Sequence, residues 1–325
     1  MTDIDRIHAC LLGGAMGDAQ GAKIEFWGLD RILRDGVTPS RHFTDDTQMT
    51  LFTAEGLIRA VVRSEARGIC APNAVVHHAL LRWFRTQGER PRMQTCDIGL
   101  IADQRLHTRR APGNTCLSAL QESKSFGQGA RNHSKGCGTI MRVAPCALIA
   151  HDAAQAEDLA RSTSAVTHGH VLGQEAAVAQ ARILFELLHG ATLERAVQAV
   201  RLSPSIMRAL DMAMSAPADG DPATVERLGA GWVAEEALSI AVYAARVARC
   251  LDHGLHIALV HSGDSDSTAA IAGNLLGLLY PDQVMASAMD LECRDLIERI
   301  ARDLAAARNP GDSFADDMFD LYPGW

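Results

Sequence analysis

Aromatic side chains are scarce, at 5 % of 325 residues, while alanine and leucine are plentiful. That balance favours helices packed through small residues over a β-sandwich. No stretch alternates apolar and polar residues with the two-residue period of a half-buried strand, so neither a parallel nor an antiparallel sheet is expected. A basic excess is absent as well. The 31 Lys and Arg stand against 39 Asp and Glu, for a net charge of −8, which offers no footprint for nucleic acid or an anionic membrane and suits a site that collects cations. No apolar run reaches the roughly eighteen residues of a membrane span. The opening Met1-Thr2-Asp3-Ile4-Asp5 carries acid where a secretory signal carries base, so a soluble, cytoplasmic protein is expected. Cysteines at 10, 70, 96, 116, 137, 146, 250 and 293 never form the close C-x-x-C pairs of a zinc or redox site and read as buried free thiols.

What is present is helical periodicity. Apolar residues recur near every 3.6 positions over 4–22, 49–62, 75–84, 153–162, 173–189, 192–202, 233–251, 267–279 and 290–307, which predicts an all-α chain. Breaks rich in Gly, Pro, Ser or Asn fall at 28–43, 85–97, 109–114, 123–138 and 215–222. None is a low-complexity linker and no internal repeat is evident, so residues 1–325 are expected to form one domain. With 47 % hydrophobic and 22 % charged residues, the chain can bury a core. The segment 121–138, poor in aliphatic residues and holding four glycines, reads as a functional loop.

Three short stretches place carboxylates where helices are expected to begin: Gly17-Asp18-Ala19-Gln20-Gly21-Ala22-Lys23-Ile24-Glu25, Thr44-Asp45-Asp46-Thr47 and His261-Ser262-Gly263-Asp264-Ser265-Asp266-Ser267-Thr268. Singly, each has an ordinary reading as a helix cap. Together they supply more acid than caps need, and like charges brought together are costly unless protons or a cation compensate. Carboxylates and hydroxyls without His or Cys select a hard ion, Mg²⁺ or Mn²⁺, over zinc. An EF-hand is excluded, because Ala269 stands where its loop glycine would be and Leu275 where its closing glutamate would be. Any metal must therefore be shared between distant segments. A glycine-rich stretch from Asn132 through Ser134, Lys135, Gly136, Cys137 and Gly138 leads into an apolar helical run. It reads either as a tight turn or as backbone amides presented to phosphate, but it is neither a Walker loop nor a dinucleotide fingerprint.

In these motifs and in their order the sequence resembles the ADP-ribosylglycohydrolase family, which includes dinitrogenase-reductase-activating glycohydrolase and the arginine- and serine-directed ADP-ribosyl hydrolases. The resemblance runs from Gly13 to about Gly277. It implies an all-α domain with two Mg²⁺, or Mn²⁺, in a central cleft. Thr44, Asp45 and Asp46 match one ligand group, Asp264, Asp266 and Ser267 the other, and Glu25 a mobile ligand that gates the site. Glu25, Asp46 and Asp264 thereby become the expected catalytic residues. The loop Ser134, Lys135, Gly136, Cys137 and Gly138 matches the segment around the ADP-ribose diphosphate and distal ribose, and His168 matches a substrate-contacting histidine. Asp97, in Asp97-Ile98-Gly99, resembles an element near the substrate entrance. Ser267 replaces a frequent threonine and Cys137 a frequent asparagine, while Asp18 is expected to organise the first helix. The implied activity is removal of mono-ADP-ribose from a modified protein side chain, foremost arginine, with an ADP-ribosyltransferase as a second partner. An ADP-ribose binder or transferase blocker without turnover, a hydrolase of an O-linked ADP-ribose and a nucleotide phosphohydrolase remain the alternatives.

Overall fold

The computed structural model describes residues 2–38, 40–287, 290–311 and 313–323; the outermost positions of the expected domain, and Pro39 in the expected break 28–43, lie outside them. The described residues contain seventeen α-helices and three short 3₁₀ turns, and no strand occurs among them. The first half holds α1 (Asp3–Gly21), α2 (Leu29–Asp35), α3 (Asp45–Arg67), α4 (Pro72–Thr86), α5 (Asn114–Glu122), α6 (Ala144–Ile149) and α7 (Ala153–Ser164). The second holds α8 (Val171–Leu188), α9 (Leu193–Gln198), α10 (Pro204–Ser215), α11 (Pro222–Glu226), α12 (Ala234–Val247), α13 (Leu251–Leu259), α14 (Ser265–Leu279), α15 (Pro281–Ala286), α16 (Arg294–Arg308) and α17 (Phe314–Met318). No described helix is long and apolar enough to cross a membrane.

The acids of the first residues belong to a helix start. Thr2 Oγ1 accepts from the Asp5 amide at 3.2 Å while Asp5 returns a bond to the Thr2 amide at 2.9 Å, a reciprocal cap that satisfies two donors. Helix α14, apolar on all sides, is buried from Ser265 to Leu278 and forms the centre of the molecule. It packs closely against α1, with α12 and α13 also against it and α16 laid over α1 and α3. Glycines make the α1–α14 contact possible. A Cβ on Gly17 would lie 2.0 Å from the Ala269 carbonyl oxygen, one on Gly13 2.4 Å from that of Gly273, and one on Gly277 2.2 Å from that of Ala9. Backbone therefore meets backbone along this seam, and any side chain there would force the helices apart. Asn274 Nδ2 adds a hydrogen bond to the Cys10 carbonyl at 2.9 Å. The chain's first and last thirds are joined here, and the turn after α1 is brought to the start of α14.

Several helix limits differ from the periodicity. The expected helix 233–251 is two, because the chain turns extended at Ala248 (ψ 133°) and Cys250 (ψ 172°) between α12 and α13. The break 28–43 contains α2, which buries only Ile32 and so carries little apolar signal. Helix α3 starts at Asp45 rather than Met49, with Thr44 as its N-cap, so the acidic pair forms its first turn. The cysteines are all free, but Cys70, Cys96, Cys137 and Cys250 are only half-buried.

Candidate functional site

Helix α3 can begin in the interior because Asp18, on α1, completes its start. The fully buried Asp18 carboxylate accepts from the amides of Thr44 at 2.8 Å and Thr47 at 2.9 Å and from the Thr47 hydroxyl at 2.5 Å. These bonds pull its pKa down while burial pulls harder the other way, leaving it at about 6. Asp18 thus organises α3, not its own helix as expected. With the first-turn donors satisfied by Asp18 and by Thr44 Oγ1, which accepts from the Asp46 amide at 3.4 Å, the carboxylates of Asp45 and Asp46 face a cavity of about 350 Å³.

Glu25, Asp264, Asp266 and Ser267 line the same cavity. Glu25 follows the end of α1 rather than preceding a helix, and the other three come from the N-cap and first turn of α14. One oxygen from each of Glu25, Asp264 and Asp266 lies within 4.8 Å of the others. Among the described residues that line the cavity there is no Lys or Arg. Burial, followed by repulsion from Asp264 and Asp18, pushes Glu25 up to about 8. Burial and the neighbouring carboxylates raise Asp45, Asp46 and Asp266 well above the usual range. Burial also raises Asp264, against hydrogen bonds led by that from the Cys137 thiol at 2.8 Å.

This set fits hard divalent ions. Buried Asp46 Oδ2 and Asp266 Oδ1 find no hydrogen-bond partner among the described residues, which is costly for a carboxylate unless something else satisfies it. The converging carboxylates and the Ser267 hydroxyl offer only oxygens, as Mg²⁺ or Mn²⁺ prefers.

The substrate-side expectations divide. Gly136, Cys137, Gly138 and His168 line the cavity. A Cβ on Gly138 would stand 2.9 Å from Cys116 Sγ and 3.1 Å from His168 Cε1, so the glycine keeps this wall open. His168 Nδ1 is 2.9 Å from the Thr167 hydroxyl, and burial beside Arg142 drives its pKa down to about 3, leaving a neutral ring. Ser134 and Lys135 lie behind the wall: the Ser134 hydroxyl meets Thr115 Oγ1 and the Gly136 amide, and Lys135 pairs with Glu235. The amides of Ser134, Gly136 and Cys137 are consumed by Asn132, Ser134 and the Trp232 carbonyl, so the tight-turn reading describes this segment better than an amide nest for phosphate.

Asp97 is not part of the cavity. Its side chain is 80 % exposed and paired with Arg85 at 2.7 Å. The segment around it covers a buried ion cluster: Gly99, at φ 93°, would place a Cβ 1.8 Å from Glu55 Oε1, and Arg59 donates to the Ile98 carbonyl at 2.6 Å. Residues not anticipated include Asn114 and Thr115 at the start of α5, where the break at 109–114 ends, and Phe26 and Trp232, whose rings stack at 5.0 Å on the cavity's edge. The signal for Trp232 was a glycine-rich turn, Gly229-Ala230-Gly231, ahead of a helix.

Comparison with known proteins matches the model of the family described as ADP-ribosylglycohydrolase to residues 1–313. The chain is 30 % identical over 290 residues to a Pseudomonas putida (strain GB-1) protein named ADP-ribosylarginine hydrolase Tri1, covering 85 % of this chain and 71 % of that one. The protein of that name from Serratia proteamaculans (strain 568) is 28 % identical over 287 residues, covering 85 % and 72 %. A solved structure titled "ADP-ribosylglycohydrolase-related protein complex" superposes with a TM-score of 0.68 at 26 % identity, over 94 % of this chain and 99 % of that one.

Proposed function

The chain belongs to the ADP-ribosylglycohydrolase family, and from that premise we propose that it removes mono-ADP-ribose from a modified protein side chain, cleaving the N-glycosidic bond of ADP-ribosyl-arginine with two Mg²⁺ or Mn²⁺ ions. The observation that carries this reading is the convergence of Glu25, Asp45, Asp46, Asp264 and Asp266 on one cavity lined by no basic side chain among the described residues. The similarity to proteins named for hydrolysis of ADP-ribosylarginine supports arginine as the linkage. A protein that only bound ADP-ribose would have little use for so many buried carboxylates.

Asp45, Asp46, Asp264 and Asp266 would hold the ions, and the hydroxyls of Thr44 and Ser267 would add neutral oxygens. Such ions, when bound, supply Lewis acidity toward ribose hydroxyls and acidify a nearby water. Cleavage of a ribosyl C–N bond builds positive charge on the sugar ring, and the wall of carboxylates favours that charge through the low-dielectric cavity. Glu25 lies on the turn after α1, not at a helix start as the aspartates do, and is placed to take a proton from the attacking water. His168, fixed through Nδ1 and neutral, leaves Nε2 to orient a sugar hydroxyl without adding charge. Met141, Phe26 and Trp232 supply apolar surface that limits entry of bulk water. No covalent protein nucleophile is needed.

The test is release of free ADP-ribose from ADP-ribosyl-arginine and ADP-ribosyl-serine peptides, with and without Mg²⁺. Magnesium-dependent release from the arginine peptide is expected, with Glu25→Gln slower by about 10²-fold or more at saturating Mg²⁺. Binding that ignores EDTA and yields no ADP-ribose would replace this reading with that of a binder or transferase blocker, and AMP as product would make it a phosphohydrolase.

A further inference from the structure

We propose that Phe26 and Trp232 are positioning residues, forming a clasp across the cavity mouth that keeps the Glu25 carboxylate seated among the acids of α14. The inference rests on the role given to Glu25 above. Three carboxylate oxygens, from Glu25, Asp264 and Asp266, lie within 4.8 Å of one another, a crowding that costs either bound protons or repulsion and that displaces whichever acid is least anchored. Asp264 and Asp266 are held by the start of α14, whereas Glu25 sits on a turn of a few residues, so an opposing hold must come from that turn's neighbours.

Phe26 provides it. It adopts φ 69°, a left-handed conformation that a bulky residue keeps only when its surroundings impose it. Its amide donates to the Gly263 carbonyl at 3.1 Å, which ties the turn to the residue before Asp264. The residue is 69 % exposed, yet its ring lies nearly parallel to that of Trp232, with centroids 5.0 Å apart and planes at 21°. The Trp232 side is the fixed half. Gly231 is packed so closely on Thr268 that a Cβ would come within 2.6 Å of its methyl, and the Trp232 carbonyl accepts from the Cys137 amide at 3.2 Å. The adjacent Trp27 is engaged elsewhere, under the Arg31 guanidinium at 3.6 Å.

Hydrogen exchange read by mass spectrometry on the full-length chain without metal tests the clasp independently of catalysis. Trp232→Ala and Phe26→Ala should each speed exchange at the Phe26 amide about three- to tenfold, the opening that loss of one stacked pair permits. Exchange in α1 and α14 should stay unchanged, and Trp232→Phe should restore protection. With the arginine peptide, Phe26→Ala should lower kcat about tenfold with little change in KM, since misplacement of a reacting group acts on the chemical step. Unchanged exchange in both alanine variants overturns the clasp, as does faster exchange spread equally over α1 and α14. Localised exchange in a protein that releases no ADP-ribose would keep the clasp and remove the functional reading; active protein with unchanged exchange would do the reverse.

Discussion

Glu55, midway along α3, and Asp266, in the first turn of α14, are both buried carboxylates, yet their surroundings differ in sign. Glu55 accepts from Arg82 at 2.5 Å and from the Leu100 amide at 2.8 Å, with Arg59 at 3.6 Å, all deep in the interior. Asp266 has Asp264, Glu25 and Asp18 as its charged neighbours, and one of its oxygens has no hydrogen-bond partner among the described residues. A buried acid that carries its own counter-ions is scaffolding, complete when the chain has folded. A buried acid surrounded by acids is complete only with protons or cations taken from solution, and that dependence is what separates a site from a strut.

The comparison breaks most visibly at Glu55. Glu55→Ala leaves two guanidiniums facing each other in the interior and should cost about 3–5 kcal/mol in urea unfolding, equally with and without Mg²⁺. A loss that Mg²⁺ repairs would mean the two clusters are not independent.

The next effect belongs to the acid cluster. Mg²⁺ at about a hundred times its Kd should stabilise the wild type by about 2.7 kcal/mol, and by more at pH 8 than at pH 5. Burial, with repulsion added, holds Glu25 up to about 8, and burial alone, against its hydrogen bonds, holds Asp18 at about 6, so the cation-free folded chain keeps protons that the unfolded chain has released. Its stability is therefore full below the ordinary carboxylate range and is lost as pH rises toward 8. Denaturation curves at the two pH values, with Mg²⁺ and with EDTA, would show this. Cation-free stability that instead rises with pH contradicts the electrostatics described.

The smallest change sharpens the contrast from the other side. Asp266→Asn removes an acid that the folded chain can bury only by holding a proton or repelling its neighbours, so at pH 8 without metal the variant should be more stable than wild type by about 1 kcal/mol, on the order of one pKa unit's worth of interaction. The same variant should lose most of the Mg²⁺-induced gain in thermal unfolding.

The helical class and the acidic motifs were legible because both depend on local order. A 3.6-residue period survives in the sequence, and Thr44-Asp45-Asp46-Thr47 or Asp264-Ser265-Asp266-Ser267 places its ligand-type side chains within one turn. What was hidden depends on packing. Asp18 caps a helix that begins far from it in sequence, which no spacing rule anticipates. Asp97 has the right company in sequence but sits over the Glu55 cluster, where the neighbouring Gly99 is needed for room. Phe26 and Trp232 become a pair only when α1 and the loop before α12 are brought together. The split between α12 and α13 interrupts a stretch whose apolar period does not falter.

The glycine seam has a consequence for the order of events during synthesis. Helix α1 leaves the ribosome long before α14, and its bare backbone stripe finds its match only when α14 has been translated. Until then the aspartates of α3 face no second group of acids, so a nascent or truncated chain lacking α14 should have no acid-lined cavity, however well its other helices have formed.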